Sequence, residues 1–206
     1  MPPLIITVSL NMLQRAKILY DLNEGSGVSD SFREDCETVL RKVSHKTGVL
    51  PPCLYVSITL SEEGVVANGA TAHIYKDRMG DTIVVVKMFH KKQHEGGYTN
   101  VKQLKRFRRE VIVWKQLNYP NILPLLGVCG SVQGVGILGL VSRFCEQGSL
   151  IDYLYENKEC NQVYMLEHVA GALSYLHSHD PQIVHRDVKG GNVVISAGEP
   201  RLTDLA

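Results

Sequence analysis

No stretch of the 206 residues is uncharged and apolar for long enough to cross a bilayer, so no membrane-spanning helix is expected. An excess of one charge is also lacking. Lys and Arg number 22 against 21 Asp and Glu, and the net charge of +1 supplies no general field for nucleic acid or an anionic membrane surface. Cys36, Cys53, Cys129, Cys145 and Cys160 are odd in number, widely spaced and without a C-x-x-C pair. That excludes an evident disulfide framework or zinc ribbon, and reduced thiols suit the set better. Pro2 and Pro3, no basic opening segment and only a short apolar run from Leu4 to Leu10 argue against a secretory signal. The expected compartment is the cytoplasm, with the nucleus left open. What the chain does have is 44% hydrophobic residues, enough for a real core in one or two small domains.

The first 60 residues predict a weak helix over Leu10 to Asp21, a break around Gly25 and Gly27, and an amphipathic helix from Ser31 towards Gly48. Ser31 and Glu34 form a capping-box pair there. Pro51 and Pro52 close it, and Leu54 to Leu60 reads as a strand. Strand signals continue over Thr71 to Tyr75 and Thr82 to Phe89, joined through Asp77 to Asp81 around Gly80. A helix is predicted from Val101 to Leu117. Its apolar residues step by three and four, and Lys102, Lys105, Arg106, Arg108, Arg109 and Lys115 fall on the other side as a solvated face. Strands over Ile122 to Val128 and Val135 to Ser142 follow, then a short helix from Ser149 to Tyr155. A longer helix is marked by Val163, Leu166, Val169, Leu173 and Leu176. Strands first and helices second imply an α+β arrangement in two lobes.

The residues that carry chemistry lie in this frame. Lys87 sits within Ile83-Val84-Val85-Val86-Lys87-Met88-Phe89, where an ammonium is costly unless paired. Glu110, the only acid between Asn100 and Leu117, flanks the apolar stripe of its helix and is the partner this reading expects. Downstream stand His185-Arg186-Asp187-Val188-Lys189-Gly190-Gly191-Asn192 and, twelve residues after Asn192, Asp204. Asp187 can accept a proton from an attacking hydroxyl, and Asn192 with Asp204 offers the oxygen ligands that hard cations require. Any one of these could be a turn or cap residue. Five fixed residues at set spacing arise by chance about once in a few million positions.

In order, Lys87, Glu110, Tyr119-Pro120-Asn121-Ile122-Leu123, Glu146-Gln147-Gly148-Ser149-Leu150, His185 to Asn192 and Asp204 resemble a eukaryotic-type Ser/Thr protein kinase, nearest the tyrosine-kinase-like group. The resemblance covers about 61–206 and implies a protein-kinase-like α+β fold. Its small β-rich lobe would be 61–142, its helical lobe 143–206, and 1–60 would be a helical extension outside the match. It implies ATP and Mg²⁺ as cofactors, a protein substrate or a partner kinase lobe, and transfer of the γ-phosphoryl group to Ser or Thr. Asp187 would be the base, with Lys87 and Lys189 as phosphate clamps and Asn192 and Asp204 on the metal. Val66, Gly69, Ile74, Val85, Lys87 and Glu110 would line or support the nucleotide site. Ser142 would be the gatekeeper, and Arg143, Phe144 and Cys145 the hinge beside the adenine.

Three departures shape the expectation. The glycine-rich loop positions are Ala67, Gly69 and Ala72, so only the middle glycine remains and altered or weaker nucleotide binding follows. Thr203-Asp204-Leu205-Ala206 stands where the family shows T-D-F-G, by substitution or by deletion. The sequence ends two residues after Asp204, so the reading expects a domain truncated before its activation segment. The apolar faces of Val163 to Leu176 and of Val193 to Ile195 would then be partly uncovered. The alternative to a working kinase is a catalytically impaired pseudokinase or truncated binding module.

Overall fold

The computed structural model describes residues 29, 39, 42, 50, 54–58, 60, 64–68, 72–89, 101–130 and 139–205, with the backbone alone for 101–106. The helices expected before residue 50 lie almost wholly outside the described residues. Val39 and Lys42 are helical and exposed.

A five-stranded antiparallel sheet has the order β1-β2-β3-β5-β4, built from β1 (Val65–Asn68), β2 (Ala72–Met79), β3 (Thr82–Phe89), β4 (Leu125–Cys129) and β5 (Gly139–Arg143). Met79 pairs with Thr82, so the β2–β3 turn is only Gly80 and Asp81, with Gly80 at φ +60°. The connection expected over Asp77 to Asp81 is therefore mostly strand. On β3 the residues alternate: Val84, Val86 and Met88 are buried in a cluster with Leu60, Cys129 and Val141, and Val85 and Lys87 share the opposite face.

Helix α1 (Val101–Gln116) lies across the sheet and packs on β4, burying Phe107, Val111, Ile112 and Trp114. The apolar steps read from the sequence set this face. The strand expected from Ile122 begins at Leu125 instead, because Pro124 has no N–H to give to a ladder. Ile122 makes a single bridge to Leu202. The strand expected over Leu54 to Leu60 is likewise a single parallel bridge, Tyr55 to Val128.

The second half holds α2 (Leu150–Glu156), α3 (Gln162–His177) and a two-stranded hairpin of β6 (Val193–Ser196) and β7 (Glu199–Leu202). Ser149 caps α2 by accepting from the Asp152 N–H, and Asn161 caps α3 through Tyr164 N–H. The buried stripe of α3 is Met165, Val169, Ala172 and Leu176. Val163 and Leu166 are 73% and 65% exposed, which rotates the expected face. Val193 and Ile195, expected to be partly uncovered, are buried at 1% and 0%, since the hairpin folds into the same core as α1 and α3.

Candidate active site

Strand β3 places Lys87 with its ammonium on the face away from the Val84–Val86–Met88 cluster. Its carboxylate partner is Asp204, Nζ to Oδ2 at 2.5 Å, with the two side chains 23% and 29% exposed. The sequence pointed instead to Glu110, which is half-buried on α1. The ion pair that forms joins strand to chain end across 117 residues, a contact no local pattern encodes. Asp204 sits at φ +61°, a left-handed backbone that carries its side chain out of the line of β7. Leu205 beside it is 4% exposed and enters the core.

The segment from His185 to Asn192 is a loop closed by its own side chains. Lys189 Nζ donates to Asp187 Oδ2 at 2.6 Å. Asn192 donates its amide to the Asp187 carbonyl at 2.8 Å and to Oδ2 at 2.9 Å. The hydrogen bond from Lys189, then that from Asn192, hold the Asp187 carboxyl below the ordinary aspartate value, with the nearby Lys189 charge adding to the effect. Covalent geometry turns the Asn192 amide oxygen away from Asp187.

His185 is 1% exposed and explains itself through both ring nitrogens. Nε2 faces the Thr203 carbonyl at 2.8 Å, which can only accept, so Nε2 carries the proton. Nδ1 then accepts the Asp187 N–H at 3.3 Å. Thr203 also donates its own N–H to the Asn192 carbonyl at 2.9 Å. The loop and the segment that runs from β7 to Asp204 are thus tied through the peptide groups of Thr203. Arg186, at φ +69°, is exposed and makes the bend between His185 and Asp187.

A third tie comes from Asn121, 6% exposed, whose side chain donates to Pro200 carbonyl at 2.9 Å while its carbonyl accepts from Leu202 N–H at 2.8 Å. Leu123 N–H returns to the Leu202 carbonyl, and Trp114 Nε1 donates to the Leu123 carbonyl at 2.6 Å. Helix α1, the 119–123 turn, β7 and the 185–192 loop form one hydrogen-bonded path.

The structure therefore brings Lys87, Asp187, Lys189, Asn192 and Asp204 into one connected set. The other expected positions line the sheet. Val85 shares the Lys87 face and pairs with Ser142, which is 9% exposed; Ile74 pairs with Lys87 and Ala67. Val66 is 54% exposed at the β1 bulge. Ala72 is buried at 3%, and Gly69 lies outside the described residues. Phe144 N–H bonds the Ile83 carbonyl at 3.1 Å, and Lys76 Nζ stands 3.9 Å from the Phe144 ring centroid. Burial pushes the Cys145 thiol up, against a smaller opposing pull from Arg201. The roles of Thr203 and Lys76 escaped the sequence reading. Thr203 acts through its backbone, which leaves no signal, and Lys76 pairs with a residue far along the chain.

A family profile described as the protein kinase domain matches residues 60–206. An L-type lectin-domain containing receptor kinase of Arabidopsis thaliana is 31% identical over 140 residues, 65% of this chain and 20% of its own length. Serine/threonine-protein kinase 1 of the same plant is 33% identical over 144 residues, covering 66% of this chain and 16% of its own. An LRR receptor-like serine/threonine-protein kinase, also from Arabidopsis thaliana, aligns with 98% of the chain at 26% identity and 17% of its own length. The chain thus spans about a fifth or less of these curated relatives. Among solved structures, an apo pseudokinase superposes with a TM-score of 0.59 at 15% identity, over 71% of this chain and 55% of that one. That likeness speaks for the fold alone.

Proposed function

The chain belongs to the protein kinase family, and from that premise we propose that it binds Mg-ATP beside Lys87 and transfers the γ-phosphoryl group to a Ser or Thr hydroxyl of a protein. The observation that carries the reading is the connected set itself: Lys87 to Asp204, Thr203 to Asn192, Asn192 to Asp187 and Asp187 to Lys189. Phosphoryl transfer asks little of a protein beyond positioning and charge. Each of these contacts fixes one charged or metal-facing group relative to the next.

The donor set fits the cation. Asp204 and Asn192 provide a carboxylate and an amide oxygen, and the described residues contain no cluster of three or more His, Cys, Asp or Glu. Mg²⁺ favours such sparse protein ligation, since it keeps waters and takes phosphate oxygens. When bound it would neutralise charge on the phosphates. Asp187, kept ionised by Lys189 and Asn192, accepts the hydroxyl proton at its carboxylate. Lys189 offsets the negative charge that builds beside it, and Lys87 holds phosphate oxygens. Lys189, two residues after Asp187, and the Ser/Thr kinases among the relatives support hydroxyl substrates of the Ser/Thr class.

The test is transfer of labelled phosphate from Mg-ATP to a generic protein substrate, lost in Asp187→Asn. No transfer at high enzyme concentration would sink the reading. A second reading, nucleotide binding without transfer, is favoured by Ala67 and Ala72 in the glycine-rich positions, with the Ala72 methyl buried against the sheet. It predicts a thermal shift with Mg-ATP and no labelled product.

A further inference from the structure

We propose that Leu50, Leu54–Ile58 and Leu60, nearly all of which precede the family-matched region, belong to a strap that fixes helix α1 and, through it, Lys87. The strap lies along β4, the last strand in the sheet order, and covers an edge that would otherwise offer unpaired peptide groups. Val56 N–H donates to the Val128 carbonyl at 2.8 Å. The fit is close at Gly127, where a Cβ would stand 2.6 Å from the Leu54 carbonyl oxygen and 2.8 Å from Val56 Cγ1.

Residues of the strap then divide between two cores. Leu50 and Leu54, 1% and 2% exposed, enter the cluster that contains Phe107, Val111 and Trp114 of α1. Val56, Ile58 and Leu60 point inwards at strand spacing and pack with the cluster of Val84, Val86 and Met88 on β3, while Tyr55 and Ser57 face out. The Tyr55 phenol lies within electrostatic reach of Arg108 on α1.

Helix α1 needs such support, because its first turn has no acidic residue to oppose the helix dipole, and packing must hold it. Its position reaches Lys87 through aromatic contacts. The Phe107 ring meets Phe89 edge to face at 5.6 Å, and Lys87 Nζ lies 5.5 Å from the Phe89 ring centroid. A strap that lets α1 move also lets Phe89 and Lys87 move.

Hydrogen exchange on the full chain tests this, with Gly127→Ala to push the strap off β4 and Val56→Pro to delete its donor. Freed exchange at 54–58 is expected to come with about tenfold faster exchange in the 107–116 part of α1, and with no change in α3. Mg-ATP affinity should fall about three- to tenfold in the same variants. This last part rests on the function proposed above. If the unmodified chain binds no Mg-ATP, that function fails while the exchange of α1 still decides the strap. Unchanged exchange in α1 with 54–58 freed overturns the inference, as does protection of 54–58 retained in both variants. Loss of protection in α3 as well, in both variants, also overturns it, because the segment would then be common core and not a support for α1.

Discussion

Asp187 owes its chemistry to two neighbours, Lys189 at 2.6 Å and Asn192 at 2.9 Å, both of which stabilise the charged carboxylate. Its pKa therefore lies below the ordinary 3.8. The sign follows: any stability this group contributes is present above 3.8 and is lost as pH falls through the lower, folded value. An NMR titration of the Asp187 carboxyl should show its midpoint below 3.8, and Lys189→Ala should raise it towards that value. A midpoint that does not move would mean Lys189 does not set it. Asp187→Asn should cost about 10²- to 10⁴-fold in phosphate transfer with Mg-ATP affinity little changed, measured by product formation and by direct binding. At this scale the sequence was informative where spacing is short. His185 to Asn192 could be read off as a unit because its residues are contiguous, while the bonds of His185 and Asn192 to Thr203 come from the fold. The partner of Lys87 could not, since Glu110 lay on the next helix in sequence whereas Asp204 reaches it only through the tertiary fold.

Elements were legible where apolar periodicity and burial agree. Helix α1 is the clear case, with Phe107, Val111 and Trp114 stepping along one face that the sheet covers. On α3 the apolar residues outnumber the buried ones, and Val163 and Leu166 stay exposed, because hydrophobicity states what can be buried and not what is. The β6–β7 hairpin went unread. Its two-residue turn, Ala197-Gly198, has both residues at positive φ, 53° and 80°, and Ala is a weak signal for that conformation. Pro200 inside β7 further obscured the pattern. Two changes probe how the elements are held. Ser149→Ala removes the cap of α2 and should lower stability by about 1 kcal/mol in chemical unfolding. Trp114→Phe keeps most of the buried ring but deletes the donor to the Leu123 carbonyl, at a cost of about 1–3 kcal/mol. A change near zero there would show that water replaces the indole N–H.

Across the whole molecule, the sheet and the helical part share one buried core and are tied around Asn121 and Leu202 by two main-chain hydrogen bonds and one from the Asn121 side chain. Asn121→Ala leaves the Pro200 carbonyl without its side-chain donor in a buried place, and about 1–3 kcal/mol of stability should be lost in urea unfolding. A loss confined to well under that range would place the joint elsewhere. The joint at Thr203 is of another kind. Both its bonds, N–H to Asn192 and carbonyl from His185, belong to the peptide and not to the side chain. The register between the 185–192 loop and Asp204 is consequently indifferent to what residue stands at 203, provided it is not proline. Mutational drift there would erase the letter without loosening the joint, so a site can look altered in its sequence and remain aligned in space.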